Sequence, residues 1–143
     1  MVKLKVYFAG SIRGNPANRD SYRKIISELK KKYTVLTEHV GDESALAKDE
    51  LLSDAEIESR DIALIKDSDL AIAEVTNASH GVGIEICEAK HQKKLTICIY
   101  KKNDNKISAM ISGCNHFKMI EYSDIESLLP KIDSIIGSHF KKS

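Results

Sequence analysis

Tryptophan is absent from this chain of 143 residues, and cysteine, proline and an excess of either charge are scarce. The formal net charge is +1, because 22 lysines and arginines face 21 aspartates and glutamates. A nearly neutral chain gives no electrostatic reason to expect a nucleic acid polymer or an anionic membrane as the main partner. Apolar runs are also short: none could span a bilayer, and the run after Lys5 is too short for a signal peptide.

The sequence is equally poor in metal-binding and disulfide patterns. The three cysteines, Cys87, Cys98 and Cys114, form an odd number and contain no CxxC motif. We therefore expect reduced, mostly buried thiols in a cytoplasmic protein. The five histidines show neither HxxxH nor cysteine–histidine ligand spacing, so no metal site is expected.

What the chain does contain is a regular alternation of short apolar runs and amphipathic segments. The apolar runs predict five strands, at residues 3–9, 34–37, 70–75, 95–100 and 117–121. Helical spacing predicts helices at residues 18–32, 54–66, 82–92 and 123–140, with a helical turn at 107–113. Residues 41–53 are expected to be mostly loop with some helical turn.

This alternation predicts one α/β domain over residues 1–143, a five-stranded doubly wound parallel sheet of the Rossmann or flavodoxin-like kind with helices on both faces. The expected strand order is 2-1-3-4-5. Such sheets bind ligands at the carboxyl ends of the strands, where the strand order reverses. The loops after the first and third strands should therefore face one crevice.

The loop after the first strand reads GSIRG and consists of Gly10, Ser11, Ile12, Arg13 and Gly14. Glycines let backbone N–H groups approach an anion, the following helix N-terminus supplies positive potential, and the serine and arginine add donors. The loop fits one phosphate. It matches neither GxGxxG nor GxxxxGKS/T, so no dinucleotide or triphosphate site is predicted. A strand-to-helix turn without any ligand explains the pattern equally well.

The segment from Asp67 to Glu85, DSDLAIAEVTNASHGVGIE, predicts a buried strand, a loop and a helix with a carboxylate near its start. Ser79 could cap this helix or donate to a phosphate, and Gly81 lies beside it. The helix dipole favours an ionised Glu85, as a glycosidic nucleophile requires. A glutamate that merely complements the dipole is the ordinary alternative.

Several other side chains are candidates for the same crevice. Asp61, and as a second choice Asp69, could protonate a leaving group, although a helical aspartate is usually solvated. Tyr7 could place its phenol in the crevice or simply fill the core, and His39 follows the second strand at the ligand-binding end. Glu74, at the end of the third strand, is expected to bond loop backbone and to have a structural role.

Five segments together resemble a known family. The segments YFAGSIRG, VLTEHV, SDLAIAEVT, SHGVGIE and ISAMISG occur in the order found in the 2'-deoxynucleoside 5'-phosphate N-hydrolases of the nucleoside 2-deoxyribosyltransferase superfamily. The resemblance runs from about Val6 to Gly113. It implies an enzyme that cuts the N-glycosidic bond of a deoxynucleoside monophosphate without a metal or organic cofactor, and so a small nucleotide as its substrate.

The resemblance also implies a division of catalytic work. It makes Glu85 the nucleophile, Tyr7 the residue that orients it and Asp61 the acid that protonates the leaving base. A carboxylate at the anomeric carbon can trap the sugar covalently, and water then resolves the intermediate, as in retaining glycosidases. Anchoring the remote phosphate supplies binding energy that positions the sugar.

The phosphate site implied by the resemblance combines the GSIRG loop with Ser79 and Ser108. Ser108 would come from the second subunit of a homodimer, and Met110 would lie by the same intersubunit edge. His39 matches a position near the ligand. The sites of the family are completed across this interface.

The chain departs from the family pattern at Asn15 and Pro16, where a glycine and a basic residue are usual, and at Ala78, His80 and Ile84. These changes bear on loop shape, phosphate affinity and base selectivity more than on the bond-breaking acids.

A flavodoxin-like electron carrier is disfavoured, because the chain has no tryptophan and no Ser/Thr-rich phosphate loop. Two other functions stay open. One is a nucleoside 2-deoxyribosyltransferase that passes the sugar to another base, and the other is a nucleotide-binding module without catalysis. Transferases tend to carry an acid where Ser79 stands, and an acid there would repel phosphate. Ser79 and Ser108 therefore favour the hydrolase over the transferase.

Overall fold

The fold is known from a computed structural model, which describes residues 2–11, 16–37, 45–103 and 106–141. In chain order the elements are β1 (Lys5–Ala9), α1 (Pro16–Leu29), β2 (Thr34–Val35), α2 (Ala45–Glu50), α3 (Asp54–Asp67), β3 (Leu70–Glu74), α4 (His80–His91), β4 (Leu95–Lys101), α5 (Ala109–Ser112), β5 (Phe117–Tyr122) and α6 (Ile125–Phe140). The alternation of strands and helices predicted from the sequence is therefore confirmed.

The strands form one parallel five-stranded sheet in the order β2-β1-β3-β4-β5. This is the predicted order, and its reversal falls between β1 and β3, where Val6 pairs with Leu70 and Ala9 with Ala73. All residues of β3 are buried. A strand covered on both faces needs small or apolar side chains on each, which explains why LAIAE lacks alternation.

Helices cover both faces of the sheet, so the doubly wound architecture is confirmed. Side chains of a strand alternate between its faces. In β1, Val6 and Phe8 therefore join an apolar cluster with α1 and α6, whereas Tyr7 and Ala9 join a second cluster with α3 and α4. Tyr7 thus lies on the same face of the sheet as the helices that carry Asp61 and Glu85.

Two of the element boundaries that differ from the prediction have a local chemical reason. Helix α4 begins at His80, earlier than expected, because the hydroxyl oxygen of Ser79 caps it by accepting a hydrogen bond from the Val82 backbone N–H at 3.3 Å. Strand β2 ends at Val35 instead of continuing to Thr37. The Thr37 hydroxyl accepts from the Phe8 N–H at 2.7 Å and donates to the Phe8 carbonyl at 2.6 Å, so a side chain replaces the backbone ladder.

The cysteines differ from the expectation of mostly buried thiols. Cys98 is buried, Cys114 is partly exposed and Cys87 is exposed, so that expectation is wrong. Cys87 lies on an outward-facing position of α4, where an amphipathic helix meets solvent. Within the described ranges, none of the helices has the length and apolarity needed to cross a membrane.

Candidate active site

A cleft of about 430 Å³ lies at the carboxyl ends of β1 and β3. Its walls come from the loop after β1, from helices α2 and α3, and from the loop that leads into α4. The lining residues are Gly10, Ser11, Asp49, Ile57, Asp61, Ala78, Ser79, His80, Gly81, Val82 and Glu85. For the described residues, the prediction that the loops after the first and third strands face one crevice is confirmed.

Glu85 is tied to the centre of the sheet by Tyr7. The phenol of Tyr7 donates a hydrogen bond to Oε2 of Glu85. Tyr7 is only 2% exposed, so the protein core determines the position of its hydroxyl. Burial, followed by the neighbouring Glu85 carboxylate, raises the pKa of Tyr7 far above its ordinary value, and the phenol therefore remains a neutral donor.

The helix dipole was expected to favour an ionised Glu85, and burial of the carboxyl acts against it. Burial raises the pKa of Glu85 to about 7, although the hydrogen bond from Tyr7 acts in the opposite direction. The nearby Asp61 raises this pKa and Arg60 lowers it. Glu85 is in the second turn of α4. Because the influence of the helix dipole falls off within the first turn, burial outweighs it here.

Asp61 lies in the same cleft as Glu85, within an ion-pair network. Nε of Arg60 donates to Oδ1 of Asp61 at 2.9 Å, and Nη1 of the same guanidinium donates to Oδ1 of Asp49 at 2.9 Å. Asp49 is on α2, whereas Arg60 and Asp61 are consecutive residues of α3. The arginine therefore links two carboxylates that line opposite parts of the wall formed by α2 and α3.

Gly10 and Gly81 both line the cleft, but the structure explains the lack of a side chain differently at each position. A Cβ at Gly10 would lie 2.8 Å from the ring of Tyr22, so packing against that ring excludes a side chain with or without a ligand. A Cβ at Gly81 would lie 3.7 Å from Oε1 of Glu85, an ordinary contact. The missing side chain at Gly81 leaves open space beside the carboxylate oxygen that Tyr7 does not engage.

Other predicted site residues fall into three groups. Ser11 and Ser79 line the cleft. Ser108 and Met110 do not line the cleft of their own chain: Ser108 caps α5 by accepting from the Met110 N–H at 3.2 Å, and Met110 is 84% exposed. The remaining candidates lie outside the described residues: Ile12, Arg13, Gly14 and His39.

Sequence reasoning missed three residues that the structure brings to the site. Asp49 and Ile57 line the cleft, and Arg60 bonds two of its carboxylates. Asp49 lay in the segment whose structure the sequence left uncertain. Adjacent helical residues do not normally face each other, so the position of Arg60 beside Asp61 gave no pattern that would indicate a contact. Among described residues, no cluster of histidine, cysteine and acidic side chains is suited to a metal ion.

Fold and cleft together define a doubly wound α/β protein with paired acids at the point where its strand order reverses, a kind of site that suits glycosidic bond cleavage. Residues 6–126 match the family model described as nucleoside 2-deoxyribosyltransferase. The chain belongs to this family.

Its relatives include several N-hydrolases. The chain is 42% identical over 120 residues to a provisionally named 2'-deoxynucleoside 5'-phosphate N-hydrolase 1 of Nematostella vectensis. The aligned region covers 82% of each of the two chains. It is 37% identical over 116 residues to the 5-hydroxymethyl-dUMP N-hydrolase of Tetraodon nigroviridis, covering 79% of this chain and 82% of the relative. The mouse enzyme of that name is 36% identical over 132 residues, and the aligned region covers 88% of this chain and 76% of the mouse enzyme.

Solved structures show the same fold in proteins of different activity. The CMP N-glycosidase of Clostridium botulinum superposes with a TM-score of 0.64 at 22% identity, covering 92% of this chain and 98% of that one. DNA processing protein A of Helicobacter pylori, which binds single-stranded DNA, gives a TM-score of 0.64 at 13% identity, covering 94% and 82%. These likenesses show the fold alone.

Proposed function

We propose that this protein hydrolyses the N-glycosidic bond of 2'-deoxynucleoside 5'-monophosphates and releases a free base and 2-deoxyribose 5-phosphate. With N-hydrolases among its relatives, the protein is an enzyme with N-glycosidase activity. The observation that carries the proposal is the Glu85 carboxylate, which is held by the Tyr7 phenol in a cleft that also contains Asp61.

The first step of the proposed reaction forms a covalent intermediate. Oε1 of Glu85, the oxygen beside Gly81, attacks C1' of the sugar while the bond from C1' to the base nitrogen breaks. The bonding electron pair goes to the base, and a proton from Asp61 makes the base a better leaving group. Tyr7 keeps Oε2 engaged throughout, which directs Oε1 towards the substrate.

The second step returns the enzyme to its starting state. A water molecule replaces the base and attacks C1' as Asp61 takes up one of its protons, and the bond to Glu85 breaks. The net change is the addition of one water across the glycosidic bond. The carboxylate of Glu85 and the proton of Asp61 are both regenerated, as in the two-step reaction of retaining glycosidases.

The reaction needs an ionised Glu85, and its raised pKa limits how much of the free enzyme is ready. With a pKa of about 7, roughly half of the free enzyme carries the carboxylate at pH 7. Positive charge that develops on the sugar then stabilises the ionised form. We therefore expect kcat/KM to rise with pH through this range.

The 5'-phosphate would bind between the loop after β1 and the start of α4. A helix N-terminus and its free backbone N–H groups attract anions. The capping bond of Ser79 uses its oxygen as an acceptor, so its hydroxyl hydrogen can point to a phosphate oxygen. We propose that Ser11 and the next three residues of the GSIRG loop also bind the phosphate.

We further propose that the protein is a cytoplasmic homodimer in which Ser108 and Met110 reach the neighbouring site. Met110 is 84% exposed and Ile84, on α4, is 63% exposed. Exposed apolar side chains on neighbouring helices support an interface with a second copy. Ser108 and Ser79 also line one small cavity of about 70 Å³, which places the start of α5 next to the loop before α4.

A substrate panel tests the proposed function. Deoxy- and ribonucleoside monophosphates, and an unphosphorylated deoxynucleoside with a free acceptor base, are incubated with the protein, and free base is measured by chromatography. We expect base release from deoxynucleoside monophosphates. Base exchange on the unphosphorylated nucleoside would identify a transferase instead. Calorimetric binding of nucleotides without any base release would identify a non-catalytic module.

A further inference from the structure

We propose that Arg60 is a positioning residue, which fixes the Asp61 carboxylate for proton transfer by anchoring it to Asp49 on helix α2. This role rests on the proposed function. It concerns a residue that does not line the cleft and acts through a residue that does.

The network is partly withdrawn from water. The side chains of Arg60, Asp49 and Asp61 are 28%, 10% and 23% exposed. Ion pairs in such surroundings are screened less than pairs on the surface. Consecutive residues of a helix project in different directions, so the contact between Arg60 and Asp61 requires the arginine to turn back across its neighbour. The bond to Asp49 holds the arginine in that conformation.

The charges of the cleft explain why an anchor is needed. Asp49, Asp61 and Glu85 bring three carboxylates to one cleft from α2, α3 and α4, with Tyr7 and His80 as the other titratable groups around Glu85. Once Asp61 has given its proton to the base, its carboxylate and that of Asp49 carry like charges, which repel one another. A mobile Asp61 would turn towards solvent, whereas the guanidinium offsets part of the repulsion and fixes the side chain.

The hydrogen bonds also decide which atom can do chemistry. Both bonds from Arg60 reach an Oδ1 atom, so Oδ2 of Asp61 is the oxygen that can transfer a proton to the base. Arg60 itself is not the acid. Its hydrogen bond to Asp49 raises its pKa beyond the ordinary value, so it keeps its proton throughout. A general acid works only at hydrogen-bond distance from its acceptor, and a fixed Oδ2 meets that requirement.

Substitutions at Arg60 separate charge from geometry. Arg60→Lys keeps a positive charge but loses the planar fork that reaches two carboxylates, and Arg60→Met loses both. We expect kcat to fall about 10-fold in the first variant and about 100-fold in the second, since a small displacement of a catalytic group has effects of this size. KM should change by less than about 3-fold, because the phosphate contacts remain. Lys66→Met, which removes an exposed cation from the same helix, is the matched control.

Two signatures distinguish positioning from a general loss of structure. The defect of Arg60→Met should shrink for a monophosphate whose base is a better leaving group, because that base depends less on protonation. The acid limb of its pH profile should also move to higher pH, since the positive charge of Arg60 lowers the pKa of Glu85. Arg60→Lys should keep the wild-type acid limb.

Wild-type kcat in Arg60→Met, or an equal loss on good and poor leaving groups, would overturn the proposal. If Arg60→Met does not fold, Arg60→Lys gives the same leaving-group comparison. If the wild type releases no base from any monophosphate, the proposed function fails, and carboxyl NMR titration of Asp61 and Glu85 tests the network by itself. Signals unchanged between wild type and Arg60→Met would then refute the positioning role.

Discussion

Two glutamates on consecutive elements of the chain, Glu74 on β3 and Glu85 on α4, have opposite surroundings. Each accepts a hydrogen bond from a tyrosine, Tyr122 for Glu74 and Tyr7 for Glu85. Glu74 is 3% exposed. It also accepts from the N–H of Thr76 at 2.7 Å and from the hydroxyl of the same residue at 2.9 Å. Its two oxygens thus accept from a tyrosine of β5 and from the loop after β3, in agreement with the structural role predicted for it.

Glu85 has only the Tyr7 phenol as a donor among the described residues, and its second oxygen faces a cleft. A second acid, Asp61, is close enough to raise its pKa. Glu74 is buried and Glu85 is partly buried, so burial alone does not make a carboxylate reactive. The two glutamates differ in the number of hydrogen-bond donors around them. A carboxylate with donors to both oxygens stabilises the fold, whereas one with a donor to a single oxygen keeps the other oxygen for chemistry.

The largest expected effect is the loss of base release when Glu85, but not Glu74, is replaced. Glu85→Gln should lower base release by at least about 1,000-fold, because an amide of the same shape cannot bond to C1'. Monophosphate binding, measured by calorimetry, should persist. Glu74→Gln, the matched substitution, should retain kcat within about 3-fold in the folded protein, since it touches no substrate. Similar activity in both variants would remove the distinction between the two glutamates.

For the free energy of unfolding we expect the opposite order, with Glu74 as the more important of the two glutamates. Glu74→Ala should lower the free energy of unfolding by about 2–4 kcal/mol, because the buried hydroxyl of Tyr122 and the N–H of Thr76 lose their acceptor. Urea denaturation followed by circular dichroism measures the change. Glu121→Ala, at an exposed position of β5, is the control and should remain within about 0.5 kcal/mol of wild type. An equally small effect at Glu74 would contradict the structural role.

Glu85 should instead cost stability when it ionises. Its pKa is 4.5 as an isolated group and about 7 in the fold, so the folded state binds more protons between these values. The stability contributed by this group is therefore present at low pH and is lost as pH rises towards 7. Glu85→Gln carries no charge and should be more stable than wild type at pH 8 by on the order of 2 kcal/mol, with little difference at pH 4. Parallel stability curves for the two proteins across this range would show that Glu85 has an ordinary pKa.

Much of this fold followed from local pattern. Five apolar runs separated by helical spacing predicted the strand order, because right-handed crossovers leave few ways to connect a parallel sheet. The reversal between β1 and β3 then predicted which loops form the cleft. Tyr7, Asp61 and Glu85 were assigned by resemblance to a family, and the structure brings Tyr7 into contact with Glu85 and places Asp61 in the same cleft.

The properties of the site that the sequence did not predict depend on residues that are distant along the chain. The protonation of Glu85 follows from its burial, which a helix-start pattern does not measure. Gly10 stays a predicted anion-binding glycine, but the ring of Tyr22, from the next helix, gives a second reason for glycine there, which the loop pattern does not show. Arg60 bonds Asp61, its neighbour on α3, and also Asp49 on α2, a pairing between two helices that sequence spacing does not show. Pattern predicts elements and faces, whereas burial and contacts between elements depend on the whole fold.

The smallest expected effect extends the comparison to Ser108, a serine that does not line the active-site cleft of its own chain. Under the proposed dimer, Ser108→Ala removes one hydrogen bond to the phosphate in the neighbouring site, so KM should rise about 10-fold while kcat changes little. Ser112→Ala, on the same short helix, removes a hydroxyl that bonds the Ser108 carbonyl at 3.3 Å and serves as the control.

Mixing two defective proteins decides whether this serine acts across an interface. In a dimer of one Ser108→Ala chain and one Glu85→Gln chain, shared sites would combine the intact Glu85 of the first with the intact Ser108 of the second. Such a mixture should therefore regain activity at low substrate concentration that neither variant has alone. If each site uses its own Ser108, no site in the mixture is intact, because the chain with Glu85 still lacks the serine. Absence of recovery, with exchange of subunits verified by mass spectrometry, would confine the site to one chain.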